Sequence, residues 1–494
     1  MLDITVILLY TQVINWTVDN RAVDDVEGMG KMFVGRQAEM AELEARWSSS
    51  RFEFGIVYGT RRIGKTTMLQ EFIKGKNAFY FQARQADEKD NLIALSREFR
   101  KNRHLDGHLQ YDSFDSAFDG IAEFAAKERM VLVIDEVSYL CTKSKALLSL
   151  LQYYLDGPFR DAGLMVILSG SNVSFMENIL NNRNDPLFQR STFQIHLEKM
   201  PFSEAMAFVG DQPAEDRINY LALFGSHPYY LGMIDHTMGF RENLEHILFS
   251  KYGPLADAPE KIMPVGVSEV NMYNSILQAV SRGKRFSKQI AEAVGVENNY
   301  VAKYLTSLVE MQILERRESF IRNKKTNYYV VSDNLLRFWY RFIFDERDII
   351  QNGMGSILLT ENQDGIHDFI CREFESVAQL WLEEQNRCGK LPAFYGTIRN
   401  YVVENSRLGR SVELDGLAEG LGRRKDHLLA VECKYREAVF DLKMLRHFLE
   451  SVSLFDQYAV TDYYLISRKG FSEDVRNIRD EHIHLVTVED MLAL

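Results

Sequence analysis

Eight residues, Gly59-Thr60-Arg61-Arg62-Ile63-Gly64-Lys65-Thr66, fit the pattern G-x-x-x-x-G-K-[ST] at every fixed position. The chemistry such a segment performs is the cradling of a phosphate chain. Glycines let backbone N–H groups wrap anionic oxygens without a Cβ in the way. A helix opening at the end of the loop adds its positive dipole end. The Lys65 ammonium can reach the terminal phosphates, and the Thr66 hydroxyl can ligate Mg2+. Thr67, next in the chain, is included among the nucleotide contacts. Further on, the apolar run Met130-Val131-Leu132-Val133-Ile134 ends in two carboxylates, Asp135 and Glu136. Asp135 is expected to hold Mg2+ through water, and Glu136 to orient and deprotonate an attacking water. Another apolar run closes on Ser169-Gly170-Ser171-Asn172. There Ser171 or Asn172 can hydrogen-bond a γ-phosphate or the attacking water.

A separate group of charged residues stands late in the chain, at Glu413-Leu414-Asp415 and Ala430-Val431-Glu432-Cys433-Lys434. On a strand, Glu432 and Lys434 are two apart and share a face. Asp415 is read as ending the preceding strand, and Glu375 lies on the helix before it. Carboxylates of this kind can hold Mg2+ while a lysine activates water and stabilises charge on phosphorus. The expected metal ligands are therefore Thr66 and Asp135 in one place, and Glu375, Asp415 and Glu432 in the other.

The elements that position these groups follow from hydrophobic patterning. Runs at 53–58, 78–81, 130–134 and 164–168 are apolar on both faces, as strands of a buried parallel sheet are. Helical patterns lie between them at 36–47, 66–73, 92–100, 114–126 and 144–155. The alternation predicts an α/β core with right-handed crossovers. Helical patterns at 202–210, 215–224, 229–238 and 240–249 form a cap, and Pro254, Pro259 and Pro264 mark a linker. Next, a helix at 276–280 precedes a second at 288–294, N-capped by Ser287 and ended by Gly295. A third starts at Asn298 or Asn299, with Val301, Leu305, Leu308 and Met311 on one face. Extended stretches at 314–321 and 327–331 complete a winged helix-turn-helix. The remainder carries a helix at 366–385, strands at 412–414, 428–433, 463–466 and 484–486, and helices at 441–451 and 473–479. The predicted organisation is an N-terminal extension (1–31), an α/β core (32–200), a helical cap (201–262), a winged helix domain (263–350) and a C-terminal α/β domain (351–494). The extension is either a real arm or the product of a start placed upstream of Met29 or Met32.

Composition narrows the partners. The chain has 494 residues and a net charge of −12, which argues against a protein coated in nucleic acid but leaves room for a local basic patch. Between 273 and 330, ten basic residues stand against five acidic ones. Arg322, Lys324 and Lys325 of the wing can meet phosphates, and Asn298, Asn299 and Tyr300 can face base edges. The same module can instead serve as packing scaffold. No apolar run approaches the ~20 residues that span a bilayer, so no membrane partner is expected. Four cysteines, Cys141, Cys371, Cys388 and Cys433, have no C-x-x-C spacing, which fits a reducing cytoplasm.

Phe33-Val34-Gly35-Arg36, the loop at 59–66, Asp135-Glu136, Ser169-Gly170-Ser171, Pro186-Leu187-Phe188-Gln189-Arg190 and Gly225-Ser226-His227-Pro228 occur in that order. In this the chain resembles the prokaryotic archaeal-type ATPases of the AAA+/STAND group of P-loop NTPases. The resemblance covers about residues 33–350. It implies ATP as cofactor, Val34, Gly35 and Arg36 near the adenine, and Arg190 as a γ-phosphate-sensing arginine, with Arg183 as its rival. His227 stands where the family has a small or apolar residue and is expected to be a structural histidine in a turn. Residues 365–494 resemble the PD-(D/E)xK nuclease fold, with Asp415, Glu432 and Lys434 in the motif and Glu375 as the helical acid. Together these imply a Mg2+-dependent ATPase coupled to DNA binding, with DNA cleavage open and homo-oligomers compatible. The alternative is an ATP switch that regulates a protein partner through non-catalytic modules.

Overall fold

A computed structural model describes residues 33–105, 110–141, 145–258, 270–321, 324–405 and 410–493. The chain divides into two compact units, 1–34 and 35–494. The expected extension, 1–31, lies outside the described residues, as does Arg322 of the wing. Everything below concerns the second unit. Among the described residues no helix is long and apolar enough to cross a membrane, and all four cysteines are free.

The runs that are apolar on both faces become a parallel sheet of β1 (Glu53–Tyr58), β2 (Ala78–Gln82), β3 (Val131–Asp135), β4 (Met165–Gly170) and β5 (Phe193–His196). Their order is β2-β3-β4-β1-β5, with every pair parallel. β5 adds a strand to the four expected. It buries Phe193 and Ile195 and exposes Gln194 and His196, the signature of an edge strand rather than a doubly covered one. The order sets β1, β4 and β3 side by side, with Tyr58 opposite Gly170 and Ile134 opposite Leu168. The phosphate-type loop, the paired carboxylates and Ser171 therefore leave the sheet at one edge, where open α/β sheets bind ligands.

Helices on this sheet bury Phe99, Phe118, Leu151, Tyr154 and Phe159 against Phe54, Ile56, Leu132 and Val166. Phe118 meets Tyr154 and Phe159 edge-on at 5.3 and 5.6 Å. Removing one such fully buried aromatic costs ~3–5 kcal/mol.

In the cap, helices span Phe202–Val209, Ala214–Phe224, Pro228–Leu231 and Phe240–Leu244. The expected helix at 229–238 is cut short at Gly232, and Asp235 then turns the chain by accepting from the Thr237 N–H at 2.9 Å. Helices Val270–Ser281, Ser287–Val294 and Asn298–Glu310 follow, then the antiparallel hairpin β6 (Leu314–Ile321) and β7 (Lys324–Val331). That is the element order expected of a winged helix. Ser287 is not the N-cap. It is the first helical residue, and Gln289 reaches back to the Phe286 and Arg285 N–H groups. The Ser287 hydroxyl instead donates to Asn298 at 2.6 Å. Gly295 ends the helix in the left-handed region, as expected.

The C-terminal sheet comprises β8 (Arg399–Asn405), β9 (Arg410–Glu419), β10 (His427–Lys434), β11 (Val460–Ser467) and β12 (Ile483–Thr487), in the order β12-β11-β10-β9-β8. β8, β9 and β10 are antiparallel, and β10, β11 and β12 parallel. The 25-residue helix Gln363–Arg387 covers the face carrying Leu429, Val431 and Cys433. The helix Leu442–Val452 covers Leu428 and Ala430 on the other face. One hydrophobic cluster runs from Met200, through the three helices of 270–310 and the β6–β7 hairpin, to Met491. Polar ties reinforce it: Glu384 accepts from the Ser203 N–H at 2.9 Å, and Arg468 pairs with Glu215 at 2.5 Å.

Candidate active site

The loop leaves β1 at Gly59 and enters the helix Lys65–Ile73. Two of its glycines are obligatory. A Cβ at Gly59 would lie 2.3 Å from the Leu197 carbonyl oxygen. Gly64 precedes the helix with φ of 91°, a conformation that L side chains rarely take. Lys65 is buried, and its ammonium closes the loop by donating to the Gly59 and Thr60 carbonyls at 2.9 Å each. Burial pushes this ammonium below its ordinary pKa, while the Glu136 and Asp135 carboxylates pull it back.

Thr66 and Asp135 meet as their types require. The Thr66 hydroxyl donates to Asp135 Oδ2 at 2.7 Å, and Asp135 is fully buried. The same Oδ2 accepts from the Tyr80 hydroxyl at 2.6 Å. Asp135 Oδ1 accepts from the Glu136 N–H at 3.0 Å. Burial and this carboxylate together hold the Tyr80 phenol well above its ordinary pKa. A hydroxyl and a carboxylate this close at a helix start are hard oxygen donors that fit Mg2+.

Glu136 takes a left-handed backbone, φ 53°, which turns its side chain toward β4. There Glu136 Oε2 accepts from both the N–H and the hydroxyl of Ser171, at 3.0 and 2.8 Å. Ser171 thus holds the carboxylate beside it. Asn172 caps the helix Val173–Asn181, its side-chain oxygen accepting from the Phe175 N–H at 3.0 Å. Arg190 is not gathered to this group. Its Nε donates to both Asp156 oxygens at 3.0 Å. Arg183 is exposed. Arg61 donates to the Tyr139 hydroxyl at 2.8 Å.

Of the triplet Val34-Gly35-Arg36, Val34 belongs to the first unit. Arg36 lies under the loop, donating to the carbonyls of Ile63 at 3.0 Å and Glu198 at 2.7 Å. His227 is buried, and both its ring nitrogens are without a hydrogen-bond partner. It forms the turn before the helix Pro228–Leu231, in keeping with a structural histidine.

In the C-terminal sheet, β9 and β10 pair outward as far as Val431 and Gly416. The next residues, Glu432 and Asp415, open the fork between the strands. Asp415 therefore sits inside β9 rather than at a strand end, because the strand runs on through Arg410–Glu419 to pair with β8. Glu432 and Lys434 do share a face, in contact at 2.5 Å. Burial works against the Lys434 ammonium, but Glu432 and Asp415 hold it above its ordinary pKa. Asp415 Oδ2 accepts from the Cys433 N–H at 2.7 Å, and Glu375 Oε2 from Asn400 at 2.8 Å. Burial, then the neighbouring carboxylates, push the Asp415 and Glu375 carboxyls up. Among the described residues no group of three or more His, Cys, Asp or Glu side chains is arranged to hold a metal ion. The three acids share a charge environment without converging on one point.

The family described as an ATPase domain predominantly from Archaea matches residues 33–234, which hold the loop, both carboxylates, Ser171 and His227. This segment is an archaeal-type ATPase domain. A second family, described as archaeal and bacterial proteins of unknown function, matches residues 339–446, beyond the ATPase domain. The chain is similar to an uncharacterized protein of Methanocaldococcus jannaschii, 27% identical over 73% of this chain and 80% of that one. It is also similar to an ATP-binding protein of the same organism, 40% identical over 9% of this chain and 76% of that one. Among solved structures it is similar to a Walker-type ATPase of Pyrococcus abyssi, at 18% identity and TM-score 0.48, covering 62% of this chain and 96% of that chain.

Sequence reasoning about the ATPase domain missed Tyr80, Tyr230 and Asp333. Tyr80 sits in a short apolar run with no motif around it. Tyr230 and Asp333 are 103 residues apart and meet only in the fold, where the Tyr230 hydroxyl donates to Asp333 Oδ2 at 2.8 Å.

Proposed function

We propose that this ATPase hydrolyses ATP with Mg2+ and that nucleotide state governs how its winged helix and C-terminal sheet engage DNA. The observation that carries the catalytic part is the Thr66–Asp135 hydrogen bond beneath a buried Lys65. Thr66 and Asp135 would hold Mg2+, whose chemistry there would be charge neutralisation at phosphate. Lys65 would exchange the Gly59 and Thr60 carbonyls for phosphate oxygens. Asp135 would stay oriented by Tyr80. Glu136 would take the proton of the attacking water once its Oε2 shifts from Ser171. Arg190, bound to Asp156 at the surface, is the residue that a second copy of the chain would present to a neighbouring site. The test of the phosphate contact is Lys65→Ala. Losing a charge-assisted contact from an enclosed site should weaken ATP binding ~10–100-fold. Unchanged affinity, measured by calorimetry, would remove the assignment.

DNA contact rests on the placed positive charge of the winged helix. Asn298, Asn299 and Tyr300 are exposed at the start of its third helix, and Lys303 lies over the Tyr300 ring at 4.3 Å. Part of the charge is already answered internally, since Arg282 pairs with Asp345 and Arg317 with Glu315. For the C-terminal sheet, DNA cleavage is supported by Asp415, Glu432 and Lys434 around one strand fork with Glu375 on the helix above. Nicking of plasmid with Mg2+ or Mn2+, lost in Asp415→Ala and Lys434→Ala with ATPase retained, is the result this reading requires. A second reading, an ATP switch acting on a protein partner, draws on a specific observation: Glu432 and Lys434 neutralise each other, and the acids do not converge.

A further inference from the structure

Arg62 is the fourth residue of the loop, and its backbone lies in the left-handed region, φ 65°. Few residues other than glycine sit there without support, because the Cβ crowds the carbonyl. Here the support comes from outside the ATPase sheet. The Arg62 guanidinium lies over the Tyr229 ring at 5.1 Å and the Tyr230 ring at 5.9 Å. It also donates to the Tyr230 hydroxyl at 3.4 Å. That hydroxyl donates in turn to Asp333 Oδ2 at 2.8 Å. Asp333 follows the wing strand β7 and N-caps the helix Asn334–Phe342 through Oδ1, which accepts from the Leu336 N–H at 3.2 Å. One carboxylate thus uses one oxygen for the helix and the other for the tyrosine.

We propose that Tyr230 and Asp333 are positioning residues for ATP hydrolysis: acting through Arg62, they hold the left-handed turn of the loop in the shape that receives the phosphates. Arg62 is then an anchor of the loop, and the segment after the wing supplies part of the nucleotide site's rigidity. Each link is a group with a second partner to lose. The tyrosine is 1% exposed, so water does not replace the hydrogen bond when one partner is removed.

The inference rests on the loop being the phosphate cradle, and Lys65→Ala separates the two questions. The experiment is a double-mutant cycle on the full chain, read as KM and kcat for ATP with melting temperature alongside. Tyr230→Phe keeps the ring and removes the hydroxyl. Asp333→Ser keeps an N-cap residue and removes the oxygen that reaches Tyr230. Each should raise KM about 3- to 10-fold with kcat changed less, as expected for one lost hydrogen bond. In an Arg62→Gly background, where glycine adopts the turn unaided, neither substitution should change KM further. Additive effects would overturn the proposal, because the residues would then act independently. So would an unchanged KM in Tyr230→Phe, or a lowered melting temperature with KM and kcat intact. If Lys65→Ala leaves ATP binding unchanged, the cradle reading fails first. If Lys65→Ala abolishes binding and the cycle is additive, only the anchor fails.

Discussion

Acid should destabilise this protein in part through one imidazole. His227 is 6% exposed, and neither ring nitrogen has a hydrogen-bond partner. Burial pushes its pKa down to about 4. Asp333 pulls it upward, and Lys199, Arg62 and Arg36 add to the lowering. In the unfolded chain it returns to ~6.5. Between those values the unfolded state binds more protons, so stability rises with pH across the window and is lost as pH falls through it. The full gap corresponds to ~3 kcal/mol, and the share lost between pH 7 and pH 5 is about 2 kcal/mol. With a urea dependence of ~2 kcal/mol per molar, the midpoint should move by about 1 M. The assay is urea unfolding at pH 7, 6 and 5, followed by tyrosine and tryptophan fluorescence, for wild type and His227→Gln. The midpoint difference between wild type and variant should change by about 1 M from pH 7 to pH 5, whatever the carboxyls at the C-terminal fork contribute to both. An identical slope in both proteins would refute the reasoning and place the acid sensitivity elsewhere.

Glu136→Gln should bind ATP normally and lose turnover at least ~100-fold, since the amide keeps the shape and the Ser171 contacts but not the basicity. Loss of binding, read by fluorescent nucleotide titration, would make Glu136 structural. The Asp415 and Glu375 carboxyls are pushed up from the ~4 of the unfolded chain, so the folded state holds the extra protons and stability should fall as pH rises above that value toward neutrality. Asp415→Asn should flatten that slope, read as melting temperature at pH 5, 6 and 7. An unchanged slope in the variant would place the effect on other groups.

Much of the candidate site was legible because its chemistry is local. Gly59 through Thr66 is one contiguous stretch, and Asp135 and Glu136 are adjacent, so strand ends place them. That Glu432 and Lys434 share a face was readable from strand periodicity alone, whereas their ion pair was not. What escaped depends on distance along the chain. Tyr80 reaches Asp135 only because β2 pairs with β3, with Gln82 opposite Asp135. β5 escaped because a four-residue edge strand with alternating burial carries little signal. Ser287 failed as an N-cap because Gln289 satisfies the free N–H groups from within the helix, a choice that serine's preference for caps does not reveal. The partner of Arg190 could not be read either, since Asp156 meets it across 34 residues of chain.

The hydrophobic cluster that begins at Met200 and ends near Met491 has a consequence for how this protein can be taken apart. Its apolar contacts cross from the cap through residues 270–331 to the C-terminal sheet, whereas the ATPase sheet keeps a core of its own. The boundary between the two cores therefore falls near residue 198, inside the ATPase domain. A C-terminal sheet excised alone would carry the stripped face of the helix Gln363–Arg387 into water. Any exchange of the C-terminal sheet between relatives would have to carry the helix Ala214–Phe224 with it, so the two are expected to be inherited as one piece.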